Sequence, residues 1–253
     1  MFHRLPLPQR MQPIHQLKVM KSPLISENAL LWEFNPYIDL SLVAYLPVIS
    51  TIKGCGIAPA GIVGGSEATP YSLPWQVALV SRGGSRPFCG GTLISPTHVL
   101  TAAHCTSNSN FDIIVGEHSI TDSSDGTRHQ ICRAVRHPNY NSPTSLNNDF
   151  SIVHLRQPVS IGGRAVPACL PDSSLAGDAL AGRALTVSGW GTRSSGGSQP
   201  NVLHQVSVPA ITNAQCSQAY SQYSITEAMI CAGNLANGGV DSCQGDSGGL
   251  QIF

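Results

Sequence analysis

A chain of 253 residues is long enough for one large domain or two small ones, and 14 Lys and Arg against 14 Asp and Glu leave no net charge. Only 11% of the residues are charged, about half the usual share, so the composition carries neither a basic nucleic-acid footprint nor an acidic tail. The 25 Gly and 18 Pro, spread among short apolar runs, favour strands and turns over long helices.

Residues 1–37 are irregular and rich in proline. Leu40 to Leu46 is apolar, and the run continues past Pro47 to Val48 and Ile49. It is too short to cross a bilayer, so no membrane span is expected. Its length suits a signal-peptide core, yet it begins about forty residues in with Asp39 at its edge, an atypical position for a leader. Gly54 to Gly61 reads as a short linker. The expected division is a leader or propeptide region over 1–61 and a folded body over 62–253.

From Ile62 the strand signals come at regular spacing. Trp75 to Val80 alternates apolar with small or polar residues. Thr92-Leu93-Ile94 and His98-Val99-Leu100 follow, broken by Ser95-Pro96-Thr97. Further short strands are expected at Phe111–Gly116, Asp149–Leu155, Ala184–Val187, Val202–Val208 and Met229–Ala232. Asn213 to Tyr220 suits a short helix. Many short strands with frequent turns predict an all-β fold, an antiparallel barrel or sandwich.

Cys55, Cys89, Cys105, Cys132, Cys169, Cys216, Cys231 and Cys243 make eight cysteines without a CxxC pair, which argues against a zinc ribbon or a thioredoxin-like site. Scattered through a loop-rich chain, they suggest disulfides and an oxidising compartment. Buried free thiols are the other reading, and the count alone does not decide between them.

Three stretches carry chemistry. In Gly245-Asp246-Ser247-Gly248-Gly249 the glycines allow a sharp turn that leaves the Ser247 hydroxyl exposed. The N–H groups of Gly245 and Ser247 can then converge as a donor pair for a developing oxyanion. In Leu100-Thr101-Ala102-Ala103-His104-Cys105 a histidine follows a strand end, beside a cysteine that a disulfide could pin. A general base needs such a mount, although a lone histidine in a barrel is more often a core residue satisfied by backbone. Asp149 enters an apolar strand, where a carboxylate can fix one imidazole tautomer; a turn aspartate is its commoner role.

Taken together with Ile62-Val63-Gly64-Gly65 and Val187-Ser188-Gly189-Trp190-Gly191, these motifs resemble the trypsin/chymotrypsin family of serine proteases. The resemblance runs from Ile62 to the end, about three quarters of the chain. It implies two antiparallel Greek-key β-barrels with the active site between them. It implies Ser247 as nucleophile, His104 as general base and then acid, and Asp149 as orienter, with the Gly245 and Ser247 N–H groups as oxyanion hole. Cleavage before Ile62 would free an α-ammonium that pairs with Asp246, so the uncut form is a zymogen. Asp241, at the floor of the family's specificity pocket, implies cleavage after Arg or Lys. The resemblance also implies disulfides Cys89–Cys105, Cys216–Cys231 and Cys55–Cys169, the last tethering a propeptide; Cys132 has no evident partner. The expected protein is a secreted endopeptidase acting on polypeptide substrates, with an activating protease and protein inhibitors as partners and no nucleic acid.

The chain also departs from the family pattern. It stops at Phe253, six residues after Ser247, so the second barrel is expected to be incomplete and the polypeptide as written poorly stable or inactive. The family's usual partner of Cys243 belongs to that continuation. Leu250 follows Gly249 where the family usually has proline. Gly61 precedes Ile62 where many relatives have Arg or Lys, so self-activation is not expected. Glu117 opens a loop to Arg128 that binds calcium in some relatives, with Asp122 and Asp125 as further oxygen sources. Its spacing differs and a solvated acidic loop is expected, so no metal and no cofactor is predicted. The alternatives to an enzyme are a non-catalytic protease homologue acting as a binding module and, less favoured, a disulfide-rich structural module.

Overall fold

The computed structural model describes residues 65–171, 175, 177–192, 197–235 and 247–248. They are mostly β, and the first half closes on itself. Strands β2 (Gln76–Ser81), β3 (Pro87–Ser95), β4 (His98–Thr101), β5 (Phe111–Val115), β6 (Thr127–Arg136) and β7 (Ser151–Leu155) form a closed barrel in the order β2-β3-β4-β7-β6-β5. Closure removes the free edges that a strand would otherwise offer to other chains.

In β2, Val77, Ala78, Leu79 and Val80 are all fully buried. Alternate side chains of a strand point to opposite faces, so both faces of β2 are covered. Strand β3 is nine residues long, whereas the apolar pattern marked only Thr92 to Ile94. Its first half holds Gly90 and Gly91, which weaken a strand signal. A Cβ on Gly91 would lie 3.0 Å from both Val77 Cγ2 and Val99 Cγ1. The glycine is there because two strands pass too close for a side chain.

Strand β6 is the largest departure from the sequence reading, which set Thr127 and Arg128 in the acidic loop and assigned no strand beyond it. Its ten residues, Thr-Arg-His-Gln-Ile-Cys-Arg-Ala-Val-Arg, bury only Ile131. No period of two is visible because the register with β7 shifts between Ile131 and Arg133. Long-range pairing to β5 and β7, not local preference, makes this a strand. Strand β7 begins two residues later than expected, so Asp149 precedes it.

The second half is a four-stranded antiparallel sheet around β9 (His204–Ile211). Strand β8 (Ala184–Gly189) pairs along its whole length with β9. The short β10 (Cys231–Ala232) and β1 (Ser66–Glu67) also pair with β9. Met229 and Ile230 lie outside β10, which is shorter than expected. Leu185, Val187, Val206, Val208 and Ala210 form the apolar layer of this sheet.

Helix α1 (Asn213–Ala219) matches the expected one to a residue at its end. Thr212 and Gln215 form a reciprocal capping box that satisfies two otherwise orphaned N–H groups. Among the described residues no helix is long and apolar enough to cross a membrane.

The two halves share buried contacts. Trp190, just past β8, is buried with the first barrel's core, and its indole N–H donates to the His118 carbonyl at 3.1 Å. The Ser188 hydroxyl donates to Gln76 Oε1 at 2.7 Å, and both residues are buried. A buried polar pair that is fully matched fixes the register of two surfaces more sharply than apolar contact does.

Candidate active site

Strands β4 and β7 run antiparallel, with Leu100 opposite Ile152 and Thr101 opposite Ser151. The end of β4 therefore meets the start of β7. His104 lies three residues beyond β4, in the 3-10 turn Ala103–Thr106, and Asp149 two residues before β7. Two positions 45 residues apart in sequence thus become neighbours.

Asp149 is buried, its side chain 1% exposed. Its Oδ1 accepts from the His104 main-chain N–H at 2.9 Å, and its Oδ2 faces His104 Nδ1 at 2.6 Å. A buried carboxylate is tolerated only when donors replace its lost water. Because the carboxylate accepts, the ring proton sits on Nδ1 and the lone pair is left on Nε2. The imidazole keeps 26% of its surface exposed. Nearby, the Tyr140 hydroxyl is held above its ordinary range, first by burial and then by the Asp149 charge. It stays protonated and adds no negative charge beside the carboxylate.

The Cys89–Cys105 disulfide ties β3 to the histidine turn. Ser247 and Gly248 dock on the same rim. The Ser247 carbonyl accepts from the Gly90 N–H at 2.8 Å and lies 3.7 Å from Cys105 Sγ, next to His104. The Thr101 hydroxyl donates to the Gly90 carbonyl at 2.8 Å. Gly248 is buried with φ of 85°, and a Cβ on it would run into Thr101 Oγ1 and the Gly90 carbonyl. Thr101 and Gly90 are supports that sequence reading passed over, since neither carries reactive chemistry. Ile62, Asp241, Gly245, Asp246, Cys55 and Cys243 lie outside the described residues.

The Cys216–Cys231 bridge joins α1 to β10, as the resemblance implied. Cys169 is disulfide-bonded, and its expected partner Cys55 is outside the described residues. Cys132 is an exposed free thiol. The sulfurs of Cys89 and Cys105 lie within 4.8 Å of a His104 ring nitrogen. They are bonded to each other, so they offer no thiolate to a metal.

The acidic loop is not the solvated segment expected. Glu117 and Asp125 are buried. Asp125 accepts from the His118 and Ser119 N–H groups, the Tyr71 hydroxyl and Arg164 Nη1 at 2.8–3.0 Å. The Arg164 guanidinium also lies 3.9 Å over the Tyr71 ring. The chain's own cation and amides therefore occupy oxygens that an ion would need. Glu117 differs: burial first, then the charges of Asp125 and Asp122, push its pKa up to about 7.

An imidazole locked to a buried carboxylate, with a serine docked on the same rim of a β-barrel, is the equipment of a serine hydrolase. The Trypsin family model matches residues 62–250. Serine protease 1 of Rattus norvegicus is 42% identical over 190 residues, covering 74% of this chain and 73% of that protein. Trypsin of Sus scrofa is 42% identical over 191 residues, covering 74% of this chain and 78% of its own length. The solved structure of neuropsin, a serine protease expressed in the limbic system of mouse brain, superposes with a TM-score of 0.66 at 36% identity. That match covers 76% of this chain and 82% of neuropsin. The chain belongs to the trypsin family and is a serine endopeptidase, with the family's chymotrypsin-like fold.

Gly248→Ala should leave the barrel's circular dichroism intact but lower peptidase kcat by at least about a hundredfold, because the serine turn can no longer seat on Gly90 and Thr101. Glu117 binds its proton more tightly folded than unfolded. Its contribution to stability is complete below its ordinary value of 4.5 and is lost as pH rises to about 7. Glu117→Gln should flatten that loss and stabilise the protein at pH 8 by on the order of 2 kcal/mol, measured by urea unfolding at both pH values.

Proposed function

We propose that this endopeptidase cleaves after Arg or Lys through an acyl-enzyme, and that cutting before Ile62 activates it from a zymogen. The observation that carries the reading is the double hydrogen bond from His104 to the buried Asp149 carboxylate. In this reading Nε2 of His104 removes the Ser247 proton as the hydroxyl attacks the scissile carbonyl. The same nitrogen then hands the proton to the leaving amine, and water repeats the sequence to release the acyl group. The N–H groups of Gly245 and Ser247 stabilise the tetrahedral oxyanion, each worth about 3–4 kcal/mol of barrier. Nothing in the fold or among the relatives favours the binding-module reading.

Specificity rests on Asp241. A carboxylate at the base of a closed pocket pairs with a cationic side chain through charge-assisted hydrogen bonds, and a neutral side chain leaves it unpaired. Activation rests on Ile62 and Asp246: a buried carboxylate becomes tolerable only once the new α-ammonium exists to pair with it. Residues 1–61 then act as leader and propeptide, held to the body 62–253 by Cys55–Cys169, and the protein is secreted. The disulfides Cys89–Cys105 and Cys216–Cys231, both among the described residues, support an oxidising compartment. A separate activating protease and protein inhibitors complete the expected partners.

A fluorophosphonate probe should label the chain cut before Ile62, and Ser247→Ala should abolish labelling and lower kcat by about a millionfold. Persistent labelling of that variant would remove Ser247 from the role. Asp241→Ser should cut kcat/KM on an Arg substrate by at least about a hundredfold; an unchanged rate would sink the pocket assignment.

A further inference from the structure

Asp149 is carried by a loop that does not hold its shape through backbone preference. Asn141, Leu146 and Asn148 have φ of 64°, 58° and 54°. Each is a non-glycine residue in left-handed backbone, which costs about 1–2 kcal/mol and persists only where surroundings over-determine it. Asparagine side chains do much of that work. Asn141 Oδ1 accepts from the Leu146 N–H at 2.7 Å, and Asn148 Nδ2 donates to the carbonyls of Asn139 and Ser142.

Asn147, two residues before Asp149, is buried with 3% of its surface exposed, and all its polar groups are matched. Its N–H donates to the Thr144 carbonyl, its carbonyl accepts from the Asn141 N–H, and its Nδ2 donates to the Ser142 carbonyl. The remaining group, Oδ1, accepts from the Thr226 hydroxyl, 79 residues along the chain in the second half.

Thr226 is itself rigidly mounted. It lies between α1 and β10, in the segment closed by Cys216–Cys231. Its carbonyl accepts from Asn213 Nδ2 at 2.9 Å, and its hydroxyl oxygen accepts from the Ala228 N–H at 3.2 Å. A line of hydrogen bonds therefore runs from the start of α1 through Thr226 to Asn147, two peptide bonds from the carboxylate that orients His104.

We propose that Thr226 and Asn147 are positioning residues for the peptidase reaction: their hydrogen bond latches the Asp149 loop to the second half and thereby sets the carboxylate–imidazole alignment. This rests on the triad reading given above. The physical reason is that the loop is strained, so a buried bond to a rigid partner selects one of its arrangements. Removing the hydroxyl leaves Asn147 Oδ1 buried without a donor, and the loop relaxes to find one. Alignment errors of about an ångström cost up to roughly a hundredfold in rate.

The test uses the full chain cut before Ile62, with active sites titrated by a fluorophosphonate so that kcat is counted per labelled serine. Thr226→Val should lower kcat by about ten- to a hundredfold, with KM within about twofold of wild type. Thr226→Ser, which keeps the hydroxyl, should restore kcat to within about twofold of wild type. Asn147→Ser breaks the same bond from the other side and should show the same split of kcat from KM, which keeps the idea testable if Thr226→Val does not fold. The double variant should lose no more than the worse single one, since one bond can be removed only once. Wild-type kcat in Thr226→Val or Asn147→Ser overturns the latch. So does a loss confined to KM, or an equal loss in Thr226→Ser, which would make the side chain's volume the cause. If the wild-type chain itself takes no label, the triad reading fails and the latch falls with it; a labelled wild type with unaffected variants removes the latch alone.

Discussion

The structure turns on one constraint, a carboxylate buried at 1% exposure that must be supplied with hydrogen-bond donors. Asp149 receives two of them from a single residue, the main-chain and ring nitrogens of His104. That double contact ties a backbone position and a ring orientation to the same pair of oxygens. An imidazole held by its ring alone could swing; one whose own backbone is also bonded to the carboxylate cannot move without breaking both. The cost of an unpaired buried charge, several kcal/mol, keeps the pair together.

The barrel exists around that pair. Closure of six strands makes β4 and β7 neighbours, and their antiparallel register brings the histidine turn against the start of the aspartate strand. The disulfide Cys89–Cys105 fixes the turn to β3, and Gly90 of β3 receives the Ser247 backbone. Ser247, His104 and Asp149 are thus referred to one rigid wall. The second half is aligned to this wall by a few matched polar contacts, Trp190 to His118, Ser188 to Gln76 and Thr226 to Asn147, set among apolar surface. Polar contacts of this kind add modest stability but penalise any other alignment heavily.

The loop over 117–128 shows the same economy of charge. Asp125 is neutralised by Arg164 and capped by two amides, so the chain supplies its own cation to this buried carboxylate. Glu117 has no ion pair among the described residues, and burial with the charges of Asp125 and Asp122 outweighs the more distant Arg128, so it holds its proton to about pH 7. Two carboxylates a few residues apart behave oppositely because one is met by donors and a cation, whereas burial and like charge dominate at the other.

How much was legible in the sequence depended on whether the signal was local. The short-range motifs around Ser247, His104 and Asp149 marked these residues as candidates, because glycine-flanked serine and a histidine beside cysteine are properties of adjacent residues. The apolar runs of β2, β5 and β8 announced strands for the same reason, since their residues are buried on at least one face. Strand β6 was invisible: Thr127 to Arg136 is polar and broken by a bulge, and only its pairing with β5 and β7 makes it extended. The roles of Thr101, Gly90, Thr226 and Asn147 were also hidden, since hydroxyls, amides and glycines have no distinctive pattern until something is packed against them. The buried state of Asp125 belongs here too, because its ion-pair partner Arg164 is 39 residues away. Residue chemistry was therefore set by the order of amino acids, whereas the strained loop, the supports of the serine turn and the fate of each carboxylate were decided by closure of the barrel, because proximity, dielectric and hydrogen-bond partners do not exist until the chain has folded back on itself.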